Sequence, residues 1–263
     1  MGNRKSKYGK IVGRIGDLRI VKNEDSEEGL AYYGLYGLVD EQDNVIIPCD
    51  FLNLQKVDHN LIRVENQDGI YAFLDHQGKE VVPFSRGYNF AGSFADGRAI
   101  VGKYTENRDD YIDVLFEDYT FDYYNLLTDP VNGTWRSPIY SINELPKQFG
   151  FIDQFGNEVI PLQYQDVKNF HEGLAAVKDT SGKWGFIDVA GEVVIPFEYD
   201  GVISTNDCKF KGFPKGTIIV KKNGKWLTIT KENNPVAPLD YAEVLSRYIE
   251  TARVIKMKRN RLI

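Results

Sequence analysis

Four aspartates recur at one fixed place in a repeated pattern: Asp40, Asp75, Asp153 and Asp188. Carboxylates do general acid–base work when paired in environments that separate their pKa values. A second group of acids is crowded between Asp109 and Asp122, where several carboxylates could gather a metal ion. The three histidines (His59, His76, His171) form no HExxH, and neither cysteine (Cys49, Cys208) sits in a CxxC. Zinc-ligand spacing is therefore absent. A GxSxG elbow, a GxxxxGK[ST] loop and a strand-linked GxGxxG are absent too. The remaining chemistry belongs to aspartate, tyrosine and tryptophan.

The elements that would position these groups repeat. YGLVDEQDNVIIP from Tyr36, YAFLDHQGKEVVP from Tyr71, FGFIDQFGNEVIP from Phe149 and WGFIDVAGEVVIP from Trp184 align without gaps. An aromatic is followed by a small residue (Gly37, Ala72, Gly150, Gly185), then two apolar residues and the Asp. A proline falls eight positions after each Asp, at Pro48, Pro83, Pro161 and Pro196. A fifth, decayed copy starts at Trp226, with Thr230 in the Asp place and Pro238 in register. The intervals between prolines, 35, 78, 35 and 42, describe a basic period of 35 with one long and one short insertion.

One period reads as a three-stranded antiparallel meander. In the copy around Trp184 the runs Leu174–Lys178, Lys183–Asp188 and Glu192–Pro196 are rich in β-formers. Asp188 with Gly191, like Asp75 with Gly78 and Asp153 with Gly156, suits a turn in which the carboxylate accepts backbone N–H groups. Asp43-Asn44 takes that place in the first copy, where the Asn tolerates a left-handed conformation. Turn geometry thus explains the repeated carboxylates better than acid–base catalysis. Proline, lacking an N–H, suits a strand end. An aromatic three residues later (Phe51, Tyr164, Tyr199) is placed to fold back onto the strand. Cys49 holds a place that is apolar in the other copies and reads as a packing residue.

These residues resemble the WG-containing (KWG) repeat. Gly182-Lys183-Trp184-Gly185-Phe186-Ile187-Asp188 and Phe170-His171-Glu172-Gly173-Leu174-Ala175-Ala176-Val177 match it closely. The likeness covers about 36–101 and 149–241; Tyr36, Tyr71 and Phe149 replace the Trp, and Ala72 replaces one Gly. The resemblance implies a bacterial all-β repeat module and no particular reaction.

The expected architecture is an array of tandem repeats, open and twisted, with propeller- or barrel-like closure as the alternative. Its segments are a basic arm with edge strands (1–35), repeats one and two (36–101), an insertion (102–148), repeats three to five (149–241) and a basic amphipathic helix (242–263). Tyr241, Val244, Leu245, Tyr248, Ala252 and Ile255 recur at helical spacing, so this last segment reads as a cap. Glu28-Gly29-Leu30-Ala31 reads as a shortened strand completing the first repeat.

The insertion holds nine acids against four bases, nearly all of the chain's net charge of −6. Its Tyr111, Asp113, Tyr119, Tyr123, Tyr124 and Trp135 are the candidate binding residues, and YIDVLFEDYTFDYY reads as one or two strands. Loops grown on repeat scaffolds often lie on a binding face.

Composition narrows the function classes. With 263 residues, 42% hydrophobic and 13% aromatic, the chain is globular. No run approaches the ~18–20 apolar residues of a membrane span, and the opening residues lack the apolar core of a secretory signal. Two distant cysteines ask for no oxidising compartment, which points to the cytoplasm. A pI of about 5.3 disfavours nucleic acid. The reading is a non-enzymatic scaffold for a protein partner, with no cofactor, metal or catalytic residue expected. A glycan-binding module is the alternative, because Tyr and Trp rings can stack on sugars. A metal-dependent enzyme using the carboxylates of 105–122 is the third.

Overall fold

The computed structural model describes residues 5–23, 34–58, 60–104, 147–203 and 216–239. The chain is all-β and antiparallel, in five sheets whose strands follow sequence order. The first sheet holds β1 (Lys5–Ser6), β2 (Gly9–Ile15), β3 (Leu18–Asn23), β4 (Leu35–Val39) and β5 (Val45–Phe51). The second holds β6 (Asn53–Lys56), β7 (Ile62–Glu65), β8 (Tyr71–Leu74) and β9 (Glu80–Val82). The third holds β10 (Phe90–Ala95), β11 (Arg98–Tyr104), β12 (Lys147–Asp153) and β13 (Glu158–Tyr164). The fourth holds β14 (Asp166–Val167), β15 (Leu174–Lys178), β16 (Trp184–Asp188) and β17 (Val193–Tyr199). The fifth holds β18 (Gly201–Ile203), β19 (Thr217–Lys222), β20 (Lys225–Thr230) and β21 (Pro235–Leu239). Each sheet is a linear strand order that does not close on itself.

The expected three-strand meander is present in every sheet, with a further strand in front of it. In the fourth sheet that strand is only Asp166–Val167, paired with Lys178 and Val177. Two residues leave no periodicity to read, which is why the sequence pattern misses them. The first sheet departs further. Its added strands come from the basic stretch 5–23, where Lys10 and Arg14 take exposed positions of β2. Val21 pairs with Gly37, which places β3 beside β4. Residues 28–31 and the proposed helix 242–263 lie outside the described residues.

Two compact units emerge: one from residues up to Lys103 with Phe149–Leu162, the other from residue 163 onward. In the first unit, Leu38 and Ile47 of the first sheet pack with Leu54, Ile62, Val64 and Ala72 of the second. Phe73 and Val82 then pack with Ala91, Ala99, Val101 and Ile152 of the third. In the second unit, Trp184, Phe186 and Ile195 share a core with Val220 and Ile229. Each such side chain contributes about 1.5–3 kcal/mol by leaving water. A sheet here cannot bury its own inner face and needs its neighbour.

The glycine after each aromatic has a steric cause. A Cβ on Gly37, Gly150 or Gly185 would stand 2.7, 2.4 or 2.8 Å from the carbonyl oxygen of Ile47, Ile160 or Ile195. The outer strand bulges there: Trp184 pairs with Tyr199 and Phe186 with Ile195, so four residues of β17 face two of β16. Ala72 breaks the rule, and the strand yields. β9 stops at Val82, a 3-10 turn follows over Phe84–Arg86, and the chain returns at Tyr88, which bridges Tyr71. The folded-back aromatic is therefore five residues after Pro83 instead of three.

Successive sheets also meet backbone to backbone. Gly78, at φ 79, would put a Cβ 2.4 Å from the oxygen of Ile46. Gly156, at φ 83, would put one 2.9 Å from the oxygen of Val81. Gly97 is also left-handed, at φ 75, but has nothing within 4 Å of such a Cβ. Gly97→Ala should therefore cost only the conformational penalty, about 1–2 kcal/mol. Gly78→Ala and Gly156→Ala should each cost roughly 1–3 kcal/mol more from the clash. Urea unfolding midpoints of the three variants check this ordering.

Candidate interaction surface

The turn aspartates are fully engaged. Asp188 Oδ1 accepts from the backbone N–H of Ala190 at 2.9 Å and Glu192 at 3.0 Å. Asp40, Asp75 and Asp153 accept from the equivalent pairs at 2.8–2.9 Å. The turn carbonyl closes each loop by accepting from the residue three ahead. That residue is left-handed in all five copies: Asp43, Gly78, Gly156, Gly191 and Asn233. In the first copy it is thus Asp43, at φ 65, and not Asn44, that takes the glycine's conformation. Arg19 holds it there with a 2.9 Å ion pair. In the fifth copy Thr230 Oγ1 accepts from Glu232 and Asn234 at 3.2 and 3.4 Å, a weaker version of the same turn.

These bonds favour the ionised carboxyl. The Asn44 side-chain amide, then its backbone N–H, hold Asp40 below the usual carboxylate range. Burial pushes Asp153 up, but hydrogen bonds from Asn157 and Phe155 outweigh it and bring it below its ordinary value. A low-pKa carboxylate saturated with donors is a poor proton shuttle. At Asp40 and Asp153 the carboxylate is committed to its own turn.

Two buried tyrosines have a related setting. The Tyr88 hydroxyl donates to Glu158 Oε2 at 3.2 Å, and Lys103 Nζ lies 5.4 Å from the ring centroid. The Tyr199 hydroxyl donates to Asn233 Oδ1, and Lys222 Nζ lies 5.6 Å above that ring while pairing with Glu198 at 2.6 Å. Burial first, then the adjacent glutamate's charge, pushes both phenols up to about 12. They are polar fasteners between sheets, not acids working near neutrality.

A cleft of about 310 Å³ opens in the first sheet, walled by Tyr8, Val39, Val45, Ile47 and Pro48. Cys49 reaches it, but burial and the charge of Asp50 raise its thiol pKa. A thiol held protonated is a weak nucleophile, in keeping with the packing role expected of it. Among the described residues no group of three His, Cys, Asp or Glu could hold a metal ion, and no helix is long and apolar enough to cross a membrane.

All six candidate binding residues, Tyr111, Asp113, Tyr119, Tyr123, Tyr124 and Trp135, lie outside the described residues, as do the carboxylates of 105–122. What is visible is where their segment is rooted. It leaves at Tyr104, the end of β11, and returns at Lys147, the start of β12. These two strands neighbour each other in the third sheet, so the insertion occupies a hairpin connection inside a sheet. The equivalent connection between β15 and β16 is a short turn closed by Asp179 and Gly182. Phe90 and Phe149 meet edge to face at the root, with centroids 5.7 Å apart. Gly102 lies beneath them, where a Cβ would come 2.7 Å from the Phe149 ring. Phe90 remains 39% exposed. Neither phenylalanine was legible as a surface group, because Phe149 occupies the repeat position where Trp184 is buried.

Four segments, 36–69, 71–104, 149–184 and 184–226, match the WG containing repeat family and together cover more than half of the chain, which therefore belongs to that family. No curated protein sequence matches it. Among solved structures it is similar to BamB from Moraxella catarrhalis, at 10% identity and a TM-score of 0.34, over 86% of this chain and 61% of that one. It is similar to a eukaryotic initiation factor at 11% identity and a TM-score of 0.39, over 86% and 53% of the two chains. A structure of the Dos1 propeller aligns at 10% identity and a TM-score of 0.31, over 78% and 53%. The chain spans between about half and three-fifths of the length of these structures.

The lowered Asp40 and Asp153 pKa values predict an acid-side loss of stability. Their contribution is present above the unfolded aspartate value of about 3.9 and disappears as pH falls through the folded values. The urea midpoint of the parent chain should therefore drop as pH falls below about 4. In Asp40→Asn/Asp153→Asn, which keeps an acceptor oxygen but no charge, that drop should be shallower.

Proposed function

We propose that this chain is a non-enzymatic repeat scaffold that holds a protein partner through the segment displayed between β11 and β12, in the cytoplasm of a bacterial cell. The observation that carries this reading is the root of that segment. A tight turn suffices at the same connection in the fourth sheet, yet here 42 residues (105–146) are inserted, rich in acids and aromatics. The strands on either side of them, β11 and β12, are neighbours in one sheet. A rigid base under a long polar and aromatic loop is how binding loops are commonly mounted. Phe90 and Phe149 add an aromatic edge at its foot.

Burial weighs against the glycan alternative at the repeat positions. Trp184, Tyr164 and Tyr199 are 7%, 6% and 3% exposed, so these rings are not offered to a sugar. The metal-dependent alternative rests wholly on residues 105–122, outside the described structure.

Replacing residues 105–146 with Asp-Thr-Ser-Gly, a turn this fold already uses at 179–182, separates the loop from its scaffold. Far-UV circular dichroism and the urea midpoint should stay near those of the parent, while affinity recovery of native partners should be lost. Undiminished recovery by the replaced chain would rule out the loop as the binding element.

A further inference from the structure

The contact that joins consecutive repeats has a fixed address. In the first unit, the turn of each following repeat lands on the residue six positions after the preceding turn Asp: Gly78 on Ile46, and Gly156 on Val81. Both recipient residues are half-buried. In the fifth sheet, counting six from Thr230 gives Val236, which is 48% exposed. Residues 240–263, which follow β21 directly, carry no copy of the turn. The outer strand of the fourth sheet, in the same unit, also shows solvent Val193 and Val194, at 53% and 44%. Its following turn carries Asn233 where Gly78 and Gly156 stand in the others, and asparagine lacks their room for close approach.

We propose that residues 241–255 of this chain cover the outward side of β21 at Val236, taking the place that a further repeat turn would fill. Three observations select this occupant. The chain leaves β21 at Leu239, so Tyr241 stands five residues from Val236 and the tether imposes no search. Tyr241, Val244, Leu245, Tyr248, Ala252 and Ile255 fall on one side of a 3.6-residue period. Fifteen residues at ~1.5 Å each give about 22 Å, comparable with a five-residue strand at ~3.3 Å per residue. Finally, Pro235 and Pro238 remove two N–H donors from β21, so this edge is poorly suited to accept another strand. Side-chain packing by an apolar stripe is the solution left. Covering an exposed apolar face in this way is what a capping segment does in a repeat array.

Thiol accessibility in the full chain tests this. Val236→Cys is labelled with a maleimide, followed by peptide mapping, beside Ser93→Cys on an exposed position of β10. The thiol of Val236→Cys should react at least ten-fold more slowly than that of Ser93→Cys. Adding Leu245→Glu and Tyr248→Glu should bring the two rates within about two-fold. Because those charges could also perturb folding, a second variant, Val236→Cys/Leu245→Cys, should form an intramolecular disulfide under mild oxidation. Equal labelling rates in the parent background, or protection that survives the glutamates, would overturn the proposal. Protection that disappears on dilution would overturn it as well, because a second copy would then be the cover.

Discussion

The first unit depends on a close approach between a left-handed turn residue and the carbonyl of the preceding sheet. Gly78 against Ile46 and Gly156 against Val81 leave no volume for a side chain. Each such glycine satisfies two demands at once. It adopts a positive φ that closes the Asp turn, and it brings two backbones together so that the cores on either side can interlock. The aspartate enforces the first demand by taking two backbone N–H groups onto one oxygen. The inner-face residues Ile47, Val82, Ile160 and Ile195, seven after each aspartate, are then buried to 0–1% exposure. A fault in the turn would therefore be felt in two sheets.

Local features of this arrangement were legible in the sequence. Asp-x-x-Gly specifies its own turn through contacts within five residues, and Thr230 with Asn233 preserves the geometry after both signature residues are gone. Proline was expected at a strand end, but Pro48, Pro161 and Pro196 lie inside β5, β13 and β17 and only Pro83 follows its strand. These outermost strands tolerate the missing N–H because, among the described residues, no further strand pairs beyond them. What the pattern could not show is set by distant residues. Ala72 displaces the strand after Pro83 only because β9 would have to pass over it, and so Tyr88 arrives two residues late. The insertion falls between the second and third copies of the pattern, and only the structure shows that its two ends lie on neighbouring strands of one sheet, β10 and β11 having begun that sheet before it. The pairing of β3 with β4 draws the basic N-terminal stretch into the first sheet, though it shows none of the repeat's signature.

The same contacts account for the regular recurrence of the turn aspartates. Their repetition reflects a repeated backbone need, and each carboxylate is spent on the loop that carries it. The tyrosines Tyr88 and Tyr199, with phenols pushed up to about 12, are likewise committed to fastening sheets. The candidate binding residues, singled out in the sequence by charge and aromatic content, belong to the segment that interrupts the period. Their mount, Phe90 and Phe149 over Gly102, became visible only through strands brought together across more than forty residues.

Nuclear Overhauser contacts in the full chain measure the central approach directly. Cross-peaks should connect the Gly78 α-protons with Ile46, and the Gly156 α-protons with Val81 and Val82, at intensities typical of touching backbones. Spectra in which these glycines show contacts only within their own hairpins would contradict an array held together turn against strand.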